Sequence, residues 1–382
     1  MKIMHYLNLQ EVRDIQIDHN SDCNLRCPQC ARTYKGGTIP ELPITELTVE
    51  DYHKIIEPVV KHLERINFCG NYGEVGVSKT FMPALEYIVN HKDFNGRIII
   101  NTNGSVRNKD WWTQLAKILS NNPNNKVAFS IDGLEDTNHK YRVNAKWKLI
   151  MSNAKAFIDA GGNARWDYLV FGHNEHQVDE AKNMAQSIGF NNIRFKLTSR
   201  FIDELNYQDN KDINDSKKVT TRKSKYVIEL AKERKFRPKS LEQGKNIIDK
   251  YGSWEKYFDA TVIKCKAKPI GKLFVDFHSR VWPCNWVASG MYHFGKNKQQ
   301  SELHKILNYY GWDFNSLRHN SFDEILNHEF FKESFCSSWK GKQTDAIPRL
   351  TACARTCGEE YEFSSVHGKN KIDINLKETI NV

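Results

Sequence analysis

Six strand-like segments, each followed by a helix-like one, predict an α/β protein built on a parallel sheet with right-handed crossovers. Three observations carry the prediction. Runs of β-branched and aromatic residues recur along the first half of the chain, the spacers between them repeat their apolar residues at helical period, and each run stops at a polar or glycine-rich corner. The rhythm ends after Thr198. A charged stretch follows, and then a smaller region rich in cysteine. The expected organisation is therefore an α/β part over 1–200, a charged and mostly helical connector over 201–264, and a small α+β module over 265–382.

The predicted strands, in order, are DIQID (Asp14 to Asp18), RINFC (Arg65 to Cys69), RIIINT (Arg97 to Thr102), KVAFSID (Lys126 to Asp132), RWDYLVF (Arg165 to Phe171) and NIRFKL (Asn192 to Leu197). Among the spacers, the clearest helix is NEHQVDEAKNMAQSIGF. There Val178, Ala181, Met184, Ala185 and Ile188 share one face, and Gly189 suits the C-terminal cap. The corners read HNSDC, CGNYGE, NTNG, SIDG and FGHNEH. In parallel α/β folds ligands collect at the C-terminal ends of strands, so these corners are expected to converge on one site. Further on, GKLFVDFHSRVWPC alternates like a β-hairpin turning near His278 and Ser279, and FDEILNHEFFKESF reads as helical.

At 382 residues, 40% hydrophobic and 12% aromatic, the chain is long and apolar enough to bury sizeable cores. No signal-peptide pattern opens it, and no run approaches the roughly 20 apolar residues of a membrane span. A cytoplasmic location without membrane attachment is expected. In a reducing compartment nine cysteines serve as ligands, catalysts or buried small hydrophobes rather than disulfides. The net charge of +10 is concentrated in Lys217 to Lys239, which reads either as a solvated helical insertion or as a surface that docks phosphate or an acidic peptide through Lys217, Lys218, Arg222 and Lys223.

Cys23, Cys27 and Cys30 stand on the first corner at spacings of four and three. A structural zinc site wants four ligands, whereas three thiolates can hold three irons of a [4Fe-4S] cluster and leave the fourth iron for an outside ligand. A zinc knuckle with His19 as fourth ligand, or plain buried thiols, remain alternatives. Cys69, at the end of an apolar strand, reads as a core residue. With its Cys-x3-Cys-x2-Cys loop after the first strand, the sequence resembles the radical S-adenosylmethionine (SAM) enzymes. That resemblance implies a partial (β/α)6, TIM-like barrel over Asp14 to Leu197, with SAM on the open iron. GNYGE is similar to the family's glycine-glycine-glutamate motif, which implies cofactor contacts at Gly70, Tyr72, Gly73 and Glu74. NTNG and SIDG imply contacts from Thr102, Asn103, Ser130 and Asp132, and Arg142 matches an arginine suited to the SAM carboxylate. Two departures stand out: Gln29 replaces a usual aromatic beside adenine, and Val75 replaces the usual proline.

The C-terminal region resembles the auxiliary-cluster domains called SPASM or twitch. The resemblance implies one further [4Fe-4S] cluster on Cys265, Cys284, Cys353 and Cys357, with zinc as the alternative metal. Cys336 is left over, as a buried thiol or, less directly, a ligand or catalytic acid. By the same resemblance the chain is an oxidoreductase that cleaves SAM reductively and abstracts a hydrogen atom from a peptide or protein side chain. A small-molecule substrate is the alternative. The short run before Asp14 lowers the expectation of a leader-binding domain. A reductant such as flavodoxin or ferredoxin is the expected protein partner. A non-catalytic zinc or nucleic-acid-binding protein is the reading from another class, although no nucleic-acid motif supports it.

Overall fold

In a computed structural model, residues 5–198, 219–220, 227–292, 298–361 and 370–377 are described. The six predicted strands are present as β1 (Asp14–Ile17), β2 (Arg65–Phe68), β3 (Arg97–Thr102), β4 (Lys126–Ser130), β5 (Ala164–Val170) and β6 (Asn192–Leu197). Three more join the sheet architecture: β7 (Lys272–Val275), β8 (Val281–Trp282) and β9 (Lys371–Asn375). Helices α1 (Val49–Ile56), α2 (Phe81–Val89), α3 (Lys109–Leu119), α4 (Trp147–Asp159) and α5 (Val178–Ile188) fill the spacers. The fold is α/β with mostly parallel strands, as expected.

The chain divides into two compact units. One comprises Met1–Asp22, Ile39–Ile99 and Ser253–Tyr361; the other comprises Cys23–Thr38, Ile100–Gly252 and Glu362–Val382. In the first unit β1 lies between β2 and β7, parallel to both, with Asp14 opposite Arg65 and Lys272. A strand flanked on both sides and covered on both faces has no solvent face, and all four residues of β1 are buried. Helices α1 and α2 cover one face through Tyr52, Ile55, Phe81 and Leu85, with Phe81 edge-on to Phe68 at 5.1 Å. The other face of β1 carries Asp14 and Gln16. Burial of these polar groups is offset by partners: Arg65 Nε donates to Asp14 at 3.0 Å and Lys272 Nζ to Gln16 at 2.7 Å. The predicted hairpin is β7 and β8, paired antiparallel about Phe274 and Trp282, with Ser279 at φ 61° in its turn.

In the second unit β4, β5 and β6 run parallel, and β9 closes that edge antiparallel to β6. Trp112 of α3 and Phe157 of α4 pack on Phe129, at 5.1 and 6.0 Å. Asn108 caps α3 by accepting the Trp111 amide, and Gly189 ends α5 at φ 100°, as its position in the sequence predicted. The face of β5 away from these helices carries Arg165 and Asp167. Asp167 accepts from Arg165 and from Lys196, each at 2.6 Å, and these cations outweigh burial to hold its carboxyl down at about 2.

The expected helical connector contains helices at Ser240–Tyr251 and Trp254–Ala260, but also a two-stranded pairing of Val219–Thr220 with Val227–Ile228. Lys217, Lys218, Arg222 and Lys223 lie outside the described residues.

Candidate functional site

The three-cysteine loop belongs to the second unit and is held by that unit's own strand-end corners. Arg26 N donates to the Val143 carbonyl at 3.1 Å, and Asn24 Nδ2 to the Ser105 carbonyl at 3.0 Å. Arg32 Nη1 donates to the Cys23 carbonyl at 2.7 Å. A tight hairpin, Thr33–Tyr34 with Gly37–Thr38, follows the loop, with Lys35 and Gly36 both at positive φ as such a turn requires.

The sulfurs face donors. Asn103 Nδ2 stands 3.8 Å from Cys23 Sγ and 2.9 Å from Asn24 Oδ1, while Leu25 N points at Cys23 Sγ from 3.4 Å. Arg142 Nη1 stands 3.8 Å from Cys27 Sγ. Burial pushes the Cys27 thiol up to about 11, against the pull of that guanidinium. Thiolates that carry a cluster are stabilised by such N–H and cationic neighbours, so the donors at Cys23 and Cys27 fit iron-bound sulfurs.

Asn103, Asp132 and Arg142 thus come together with Cys23 and Cys27 inside one unit. Asp132, fully buried at the end of β4, accepts Arg142 Nε at 2.5 Å. Thr102 Oγ1 accepts the Gly104 amide at 3.0 Å, which fixes the corner after β3, and Ser130 closes β4 with its side chain half-buried. Gln29, in the place of an aromatic, is buried.

In the first unit the Gly70–Glu74 loop folds tightly on its own neighbours. A Cβ on Gly70 would come within 2.2 Å of the Gly73 carbonyl oxygen, and one on Gly73 within 2.0 Å of the Asn20 carbonyl oxygen. These glycines are dictated by close approach of protein backbone. Glu74 N donates to the Asp22 carbonyl at 2.7 Å, and its carboxylate caps the short turn Val75–Val77 by accepting Gly76 N at 3.2 Å. Tyr72 is turned into packing, edge-on to Phe277 and Tyr292, with its hydroxyl on the Ser289 carbonyl at 2.7 Å.

His19 does not offer a ligand nitrogen. Nδ1 lies 2.7 Å from the Tyr52 hydroxyl and Nε2 2.6 Å from the Ser78 hydroxyl, and burial lowers its pKa to about 3. The zinc-knuckle alternative loses its fourth ligand.

Cys265, Cys284, Cys353 and Cys357 all belong to the first unit and are close enough to shift one another's ionisation. The Cys357 thiol donates to Cys265, which lowers Cys265 to about 6 and raises Cys357. Lys268 N points at Cys265 Sγ from 3.4 Å, backbone amides of Trp286 and Val287 reach Cys284, and the amide of Lys266 reaches Cys357. The late Cys-x3-Cys lies on the helix Thr351–Cys357. Among the described residues no three His, Cys, Asp or Glu side chains close on a point as a single ion would require. Cys336 is fully buried, 4.0 Å from Lys268 Nζ. Tyr6 is a residue that local pattern did not single out: buried beside these thiols, it has its pKa raised by burial and by Cys265 and Cys284. Cys69 is half-buried, and its carbonyl accepts Gln16 Nε2 at 3.3 Å.

The sequence profile of the Radical SAM superfamily matches residues 17–185. No curated protein matches the chain by sequence. Among solved structures, Streptococcus suis SuiB resembles this chain in fold, at 12% identity and a TM-score of 0.52, over 94% of this chain and 77% of that one. Its S-adenosylmethionine-bound structure aligns over 75% of this chain at 12% identity and a TM-score of 0.46, and this chain spans 62% of that protein's length. BtrN in complex with AdoMet and 2-DOIA aligns at 14% identity and a TM-score of 0.41, over 93% of this chain and 96% of that one. At 12% identity the likeness to SuiB is one of fold. No helix among the described residues is long and apolar enough to cross a membrane.

Proposed function

We propose that the chain is a radical SAM enzyme. Cys23, Cys27 and Cys30 would hold a [4Fe-4S] cluster, which would supply the electron for reductive cleavage of SAM and so for hydrogen-atom abstraction from the substrate. The observation that carries this reading is the donor set on the cysteine loop: Asn103 and Leu25 N at Cys23, and Arg142 at Cys27. Thr102, Asn103, Ser130 and Asp132 are proposed to line the SAM side of that loop. The sequence resemblance alone proposes the backbone of Gly70, Tyr72, Gly73 and Glu74 for the methionine amino group.

Cys265, Cys284, Cys353 and Cys357 are proposed to hold one auxiliary [4Fe-4S] cluster in a SPASM- or twitch-like module. Amides aimed at Cys265, Cys284 and Cys357 support this, because lone buried thiols need no such donors. The substrate is proposed to be a peptide or protein side chain that is oxidised, crosslinked or epimerised, with a reductant such as flavodoxin or ferredoxin as partner. SuiB has been crystallised with precursor peptide SuiA and BtrN with 2-DOIA, so this fold accommodates either a peptide or another ligand.

The test is 5′-deoxyadenosine formation from SAM and a chemical reductant, with anaerobically reconstituted protein. The wild type is expected to form it, and a Cys23→Ala, Cys27→Ala, Cys30→Ala variant is not. A fully iron-loaded wild type that forms none would overturn the reading.

A further inference from the structure

Arg142 serves two groups at once. Its guanidinium bridges a buried carboxylate and a cysteine sulfur, with Nε on Asp132 Oδ2 at 2.5 Å and Nη1 at 3.8 Å from Cys27 Sγ. Asp132 cannot follow a moving partner, because its other oxygen accepts the Leu169 amide of β5 at 2.6 Å and its own amide donates to Asn138 at 2.8 Å. The next residue, Val143, receives the Arg26 amide of the cysteine loop, so the arginine and the loop are tied by backbone as well as by side chain. The Tyr141 ring lies 5.6 Å from the guanidinium carbon. A guanidinium is charged at every working pH, so the side chain is a fixed cation.

We propose that Arg142, anchored by Asp132, is a positioning residue that sets the reduction potential of the cluster on Cys23, Cys27 and Cys30 by holding a cation and an N–H donor against Cys27, and is not the clamp for the SAM carboxylate. The inference rests on the cluster assignment proposed above. An electron added to the cluster raises negative charge on its sulfurs, and a fixed cation beside one sulfur favours that reduced form. A guanidinium suits the task because it can serve the carboxylate and the sulfur through different nitrogens of one rigid plane.

The test compares reconstituted wild type, Arg142→Gln and Arg142→Lys without SAM, by electron paramagnetic resonance during a redox titration, with iron content and SAM dissociation constants measured alongside. Arg142→Gln is expected to weaken reduction about tenfold, a shift of about 59 mV to more negative potential for one electron, while SAM affinity changes by less than about threefold. Arg142→Lys, which keeps the charge, is expected to recover part of the shift. An unshifted potential in a fully iron-loaded Arg142→Gln, with SAM affinity down tenfold or more, would overturn the proposal in favour of the carboxylate clamp. If Arg142→Gln loads no iron, the SAM affinity of Arg142→Lys decides, and an iron-loaded Arg142→Lys that binds SAM tenfold or more weaker than wild type overturns the proposal. A wild type that assembles no cluster would instead overturn the assignment beneath it.

Discussion

His19 shows how one buried side chain can be excluded from one role and assigned to another. Both ring nitrogens are engaged by hydroxyls, and burial lowers its pKa from 6.5 to about 3. Between those values the unfolded chain binds a proton that the folded chain refuses, so stability rises with pH across the window and is lost as pH falls. Acidification from pH 6.5 to 5 is expected to lower unfolding free energy by up to about 1.4 kcal/mol per unit from this residue. Urea unfolding at pH 7, 6 and 5 checks it. His19→Gln should flatten the slope, and an equal slope in the variant would remove His19 as the cause. Nothing around HNSDC in the sequence announces Tyr52 or Ser78 as partners, which is why His19 could be read as a ligand until the fold supplied them.

At the scale of an element, the Gly70–Glu74 loop is held so closely that its glycines have no room for a side chain. A Cβ at Gly73 would meet the Asn20 carbonyl at 2.0 Å, backbone against backbone, and neither can give way without moving the loop. Gly73→Ala is therefore expected to weaken SAM binding by tenfold or more, about 1.4 kcal/mol, while the iron content of the cysteine loop is kept. Equilibrium SAM binding on reconstituted protein measures this, and undiminished affinity would separate the loop from SAM. The glycines were legible in the sequence, but the reason for them was not. The resemblance of GNYGE implied cofactor contacts, whereas the structure shows the loop packed on Asn20 and on itself. Elsewhere, local pattern sufficed. Gly189 ends α5 in the left-handed conformation, and β3 and β6 occupy the same residues as the runs that predicted them, because alternation and capping are properties of neighbours in sequence.

Across the whole molecule, each compact unit contains its own cysteine set: Cys23, Cys27 and Cys30 in one, and Cys265, Cys284, Cys353 and Cys357 in the other. Two four-iron clusters would give about eight irons per chain, and alanine at all four later cysteines is expected to leave about four. Iron and acid-labile sulfide analysis after anaerobic reconstitution checks this. Zinc in place of the second four irons would replace the auxiliary cluster by a structural metal, and loss of both sets together would show that the module is needed for folding.

The sequence by itself determined the α/β class, the six strands and their corners, the three-cysteine spacing and the later cysteine pair. All of these are written in short-range periodicity and composition. Only the tertiary structure decided that Lys272–Val275 pairs with β1, so that the expected separate module shares a sheet with the first strand, and that Tyr6 lies buried beside the later thiols. It alone placed Arg142 between Asp132 and Cys27. Such pairings join residues far apart in the chain, and their free energy comes from burial and hydrogen bonds that exist only once the chain has closed on itself, so no local pattern records them.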